Sequence, residues 1–117
     1  MNREVRLSDD FKEEIRKLGR KRKQIGSDLK KLVKKFDNNA LPGRILKGAE
    51  GLSFRSVRMS DKSSGKGSSG GFRVTYKFTC EVVLLLRVVL RKEEDYIAPW
   101  RLQKLAEQYG CDCDCQN

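Results

Sequence analysis

Between Gly70 and Phe78 the chain alternates: Phe72, Val74, Tyr76 and Phe78 are apolar, and Arg73, Thr75 and Lys77 between them are polar or cationic. A period of two suits a β-strand with one face in a core and the other turned outward. A helix would scatter the same residues around its circumference. The following run, Val82-Val83-Leu84-Leu85-Leu86-Arg87-Val88-Val89-Leu90, is almost continuously apolar and rich in β-branched residues, as expected of a central strand covered on both faces. Residues 52–59 predict a third strand, with Val57 and Met59 on one face and Ser56 and Arg58 on the other. A sheet built from the second half of the chain is the frame on which the rest must pack.

The first half supplies helices. Residues 3–7 are a short strand candidate. Ser8-Asp9-Asp10 offers an N-cap and an acidic first turn, and Phe11, Ile15 and Leu18 then recur at helical spacing until Gly19. After the basic run Arg20-Lys21-Arg22-Lys23, a second helix is predicted through Ile25, Leu29, Leu32, Val33 and Phe36, with Lys30, Lys31, Lys34 and Lys35 off its apolar stripe, as a solvated face or a nucleic-acid contact. The two read as an antiparallel helical hairpin with one apolar seam. Asp37-Asn38-Asn39 and Pro42-Gly43 stop the second helix, and residues 44–51 read as a connector. Residues 60–71, rich in Ser, Gly and Lys, predict a mobile hairpin loop carrying Lys66 between two glycines. Ala98-Pro99-Trp100 opens a last helix whose apolar face is Leu102, Leu105, Ala106 and Tyr109, ended by Gly110. The expected architecture is α+β: two N-terminal helices on one side of a small antiparallel sheet, a C-terminal helix, and one sheet face open. Residues 1–110 form a single domain in this reading, and 111–117 a disordered tail.

Charge narrows the partners. There are 26 Lys+Arg against 16 Asp+Glu and no His, a formal +10. That excess favours polyanions such as nucleic acid, and the missing His excludes imidazole chemistry. No apolar run approaches the length of a membrane span and the N-terminus lacks a signal-peptide apolar region, so a cytoplasmic protein without a membrane partner is expected. Cys80, beside an apolar strand, reads as an ordinary reduced thiol. Cys111-Asp112-Cys113-Asp114-Cys115 lacks the paired spacing of structural zinc sites, so no metal or other cofactor is expected.

From Leu7 to about Gly110, this order of elements and these residues resemble the RelE/ParE superfamily of bacterial toxins, nearest to RelE- and HigB-type mRNA interferases. The resemblance rests on Leu46-Lys47-Gly48 before a strand, like the family's Leu-x-Gly turn; on the basic strand in residues 51–58; and on the Gly-Lys-Gly loop leading to Gly70-Gly71-Phe72-Arg73-Val74-Thr75-Tyr76. It implies a twisted antiparallel sheet with a basic concave face. It also implies metal-independent endoribonuclease activity on mRNA in the ribosome, hence translation inhibition, and a cognate antitoxin protein that covers the same surface.

Carried over by position, Arg73 matches the strand arginine that contacts the scissile phosphate, and Arg58 matches a strand lysine on the same face. Arg91 and Lys92 match a basic pair after the last long strand, and Tyr96 lies near a C-terminal tyrosine that stacks on a base or acts as acid or base. Arg55, Lys66, Lys77 and Arg91 complete the expected RNA-binding set. The departures are Ser56 in place of a second lysine and the acidic Glu93-Glu94-Asp95 within the basic tail.

Cleavage by a 2′-hydroxyl needs a proton acceptor, a proton donor and charge stabilisation at phosphorus. Arginines, always charged, suit phosphate clamping. Crowding by other cations lowers a lysine's pKa, so Lys92 or Lys66 would be the acceptor and Tyr96 or Tyr76 would stack or donate, although Tyr76 shares the apolar parity of the core. The rival readings are a ParE-like inhibitor of DNA gyrase, a non-catalytic basic RNA- or DNA-binding module, and a plain interaction domain.

Overall fold

The structure is a computed structural model, and it describes residues 3–37, 40–46, 48, 52–62, 71–91 and 98–110. The elements run β1 (Glu4–Leu7), α1 (Asp9–Gly19), α2 (Ile25–Lys34), β2 (Arg44–Ile45), β3 (Phe54–Met59), β4 (Phe72–Phe78), β5 (Val82–Leu90) and α3 (Pro99–Glu107). The class is α+β, with three helices and a five-stranded sheet ordered β1-β5-β4-β3-β2. The expected antiparallel sheet needs correction: β1 runs parallel to β5, with Glu4 opposite Val82 and Leu7 opposite Leu85, so the sheet is mixed. The return through α1 and α2 brings β1 alongside the last strand, in a direction that sequence periodicity cannot encode. A second correction is β2, two residues in a stretch where the sequence predicts only a connector.

Local chemistry explains the helix starts. Ser8, fully buried, caps α1: its Oγ accepts from the Phe11 N–H at 3.0 Å and donates to the Leu86 carbonyl at 3.1 Å. One hydroxyl thus satisfies a helix-end donor and ties α1 to β5. α3 starts at Pro99 and is followed by Gly110 at φ +73°, the proline-first, glycine-last asymmetry of helix ends. Its C-terminal end is held to α1 where the Asp9 N–H donates to the Tyr109 hydroxyl at 2.7 Å.

Two hydrophobic layers sandwich the sheet. On one face Phe11, Ile25, Leu32 and Phe36 pack against Val57, Met59, Phe72, Val74, Tyr76, Phe78, Val83, Leu85 and Val88. On the other, Leu102 and Ala106 of α3 pack on Phe54, Val82, Leu84 and Leu86. β5 therefore has both faces covered over its first half, where Val83 to Leu86 are fully buried. Each such side chain contributes about 1.5–3 kcal/mol. Phe36 meets Tyr76 edge-on, ring centroids 4.9 Å apart at 87°.

The parity of β4 holds, and a bulge between Thr75 and Tyr76 shifts the alternation of the facing strand, β5. Tyr76 pairs with Leu85 but Thr75 with Arg87, so Leu86 is the extra residue. β1 ends opposite Leu85, which leaves the next part of that β5 edge to α1: Glu14 accepts from the Val88 N–H at 3.0 Å and pairs with Arg87 at 2.8 Å.

The loop predicted as mobile starts from a firm anchor in the core. Asp61 is buried and pairs with Arg22 at 3.0 Å, and Asp28, also buried, accepts from the Lys62 N–H at 3.3 Å. Arg22, part of the basic run in the sequence, also lies over the Phe72 ring at 5.9 Å. Lys30, Lys31, Lys34 and Lys35 lie off the apolar stripe and all four are exposed; the Lys62 amine beside Lys31 pulls that amine below its ordinary value. Residues 63–70, with Lys66, lie outside the described residues, as do 111–117 with three of the cysteines. Cys80 is a reduced, exposed thiol in the turn from β4 to β5. Among the described residues no helix is long and apolar enough to cross a membrane.

Candidate nucleic-acid interface

The site is set by pairing register. Arg58 and Arg73 are direct cross-strand partners in the antiparallel pair β3–β4, so their side chains leave the same face. That face is the one α3 packs on, opposite Val57, Met59, Phe72 and Val74. Arg58 is exposed and Arg73 half-buried. Alternation puts Arg91, also half-buried, on the same face: its N–H donates to the Gly71 carbonyl at 3.0 Å, one row beyond Arg73 and Val89. In the row on the other side stand Arg44, Ser56 and Thr75, set by the pairs Arg44–Ser56 and Ser56–Thr75, with Arg87 at its end.

This is a cationic surface of arginines drawn from four strands, with two hydroxyl groups among them. Guanidinium groups stay charged at every working pH and grip phosphate oxygens in pairs. The hydrogen-bonded ladder holds the arginines beside one another whether or not an anion lies between them.

α3 divides the face. It covers the row of Phe54, Lys77 and Leu84, and among the described residues its apolar contacts do not extend to the row of Arg58 and Arg73. The sequence predicts that Lys77 presents charge to a ligand, and its placement corrects that expectation. It is fully buried, its amine 4.8 Å above the Phe54 ring and 3.5 Å from Gln103 Oε1 of α3. It shares the parity of Arg73 but lies beneath a helix, so α3 covers part of this sheet face. Arg55 is the other correction. Alternation puts it with Val57 and Met59 on the face opposite Arg58, where its guanidinium lies 5.6 Å from the Phe78 ring, on which Arg3 also rests at 6.0 Å.

Tyr76 belongs to the core. Its side chain is fully buried and its hydroxyl donates to the Pro42 carbonyl at 2.5 Å. Burial pushes its phenol above the ordinary tyrosine value, which removes it from proton transfer near neutral pH. Lys92, Tyr96 and Lys66 lie outside the described residues.

Three residues that the sequence alone does not place in a site adjoin this surface. Arg44 rides on β2, too short to show a period. Arg87 reaches the α3 side because of the bulge. Trp100 is 59 % exposed at the start of α3, and its signal is in the sequence: it falls off the apolar stripe of Leu102, Leu105, Ala106 and Tyr109. Compared with protein families, curated proteins and solved structures, the chain gives no match.

Proposed function

We propose that this protein is an endoribonuclease toxin of the RelE type, which grips single-stranded mRNA on the open part of its sheet face and cuts it on the ribosome, with an antitoxin as its silencing partner. The observation that carries the reading is the Arg58–Arg73 cross-strand pair, beyond the row that α3 covers and flanked by Arg91 and Arg44. Two adjacent guanidinium groups match the charge that accumulates on a phosphate as it passes through a pentavalent state.

In this proposal the 2′-oxygen attacks phosphorus, the bond to the 5′-oxygen breaks, and the products are a 2′,3′-cyclic phosphate and a 5′-hydroxyl. The 2′-proton goes to an acceptor and a proton is delivered to the departing 5′-oxygen. Arg58 and Arg73 hold the phosphate. Lys92 or Lys66 as acceptor and Tyr96 as stacking or donor residue come from the reading of the sequence.

A second reading has its own support. Among the described residues, the rows of the open surface carry arginines and the hydroxyls of Ser56 and Thr75, without a carboxylate base. That composition suits a module that binds RNA without cutting it.

One experiment separates these readings. In a cell-free translation reaction the ribonuclease cuts mRNA between codons, and Arg73→Ala, verified as folded by circular dichroism, abolishes the cuts. Intact mRNA with undiminished RNA affinity supports the binding module. Inhibition of DNA supercoiling with intact mRNA supports a ParE-like gyrase inhibitor. A folded Arg73→Ala protein that still cuts overturns the proposed site.

A further inference from the structure

The start of α3 carries a combination that packing does not account for. Trp100 is the single tryptophan of the chain and is largely exposed, whereas the rest of the helix's apolar side chains turn to the sheet. The Arg101 guanidinium lies 5.4 Å and the Lys104 amine 5.5 Å from its ring. The ring borders an open cavity of about 320 Å³, lined also by Arg87 and by the polar groups of Asp10 and Gln108. That volume is at the small end of ligand pockets. Arg87 links this cavity to the arginine surface: it sits opposite Thr75, two residues from Arg73 along β4, and its side chain is held by Glu14.

We infer that this cavity is a nucleotide subsite, in which one unstacked base of a single-stranded RNA lies on Trp100 while its phosphates meet Arg101, Lys104 and Arg87. An exposed indole is a π-surface that any base can cover. The cations beside it are already placed for the backbone, which is the combination that single-strand binders use. Gln108 and Asp10 offer donor and acceptor atoms to the edge of that base. A duplex keeps its bases stacked and cannot use the ring. The inference rests on the reading of the sheet face as an RNA-binding surface, which it extends by one nucleotide site along the strand.

The lone tryptophan makes the test direct. The full chain is titrated with a labelled single-stranded oligonucleotide of about ten adenosines, with anisotropy reporting binding and tryptophan emission reporting the cavity. Inorganic polyphosphate and a duplex RNA of equal length serve as comparisons, and Trp100→Ala, at an exposed position, is checked for an unchanged melting temperature. The expected result is quenching that tracks anisotropy for the single strand, weak or no quenching with polyphosphate or duplex, and a loss of affinity of about 5- to 100-fold in Trp100→Ala. Binding by anisotropy without quenching, with unchanged affinity in Trp100→Ala, overturns the subsite and leaves the Arg58–Arg73 surface standing. Equal quenching by polyphosphate also overturns it, because charge alone then explains the signal. No anisotropy change with any RNA overturns both readings.

Discussion

Arg58 and Arg73 repel each other in the protein without RNA, and that repulsion is measurable. Cross-strand partners stand about 4.5–5.5 Å apart at Cα, and their long side chains splay. For guanidinium groups roughly 8 Å apart, the repulsion is about 0.5 kcal/mol in water and about 2 kcal/mol at an effective dielectric of 20. Arg58 is exposed, so the lower figure applies, in line with the roughly 0.2–1 kcal/mol range of cross-strand pair effects. Arg58→Gln keeps most of the stem and removes the charge. In roughly 10 mM salt it should raise the melting temperature by about 2–4 °C, and in about 1 M salt, where screening acts within ~3 Å, the gain should vanish. The same variant should bind single-stranded RNA more weakly and lower the slope of log affinity against log salt by about 0.7, the share of one phosphate contact. A site that holds like charges together against their repulsion is more stable when disarmed. A lower melting temperature for Arg58→Gln in low salt, or an unchanged salt slope, would refute the reasoning.

Lys77→Met tests the buried cation: removing it should leave stability within about 1 kcal/mol of the parent or raise it, because a buried charge is costly to desolvate, and RNA affinity and its salt slope should not move. Gly71 has φ +99° and a Cβ there would stand 2.6 Å from the Met59 carbonyl oxygen, so Gly71→Ala should cost about 2–4 kcal/mol in denaturant unfolding. Gly26 in α2 has open space around it, and Gly26→Ala should instead stabilise by about 0.5–1 kcal/mol. Tyr76 keeps its proton in the folded protein to a higher pH than in the unfolded chain. Its contribution is therefore complete below about pH 10 and declines as pH rises towards the folded-state value. Tyr76→Phe should cost about 1 kcal/mol at neutral pH through the lost bond to Pro42 and should flatten the alkaline fall in stability, as read by urea melts at several pH values.

Much of the architecture was legible because it depends on near neighbours. The alternation of residues 72–78 assigns every side chain of β4 to a face before any partner is known. The Ser8 cap and the Phe11, Ile15 and Leu18 stripe likewise announce α1. For the same reason the shared face of Arg58 and Arg73 could be read directly, since parity within each strand and an antiparallel pairing suffice.

Access was not legible. Arg73 and Lys77 have the same parity on the same strand, yet one lies at the edge of an arginine surface and the other under Leu102, Gln103 and Ala106. Nothing local separates them. Where α3 comes to rest depends on apolar side chains far apart in the chain finding one another, as Phe54 and Leu84 find Leu102 and Ala106. The parallel placement of β1, the bulge that turns Arg87 towards α3, and the burial of Asp61 against Arg22 have the same origin. Side-chain direction is a property of the strand; exposure to a ligand is a property of what the remainder of the chain leaves uncovered.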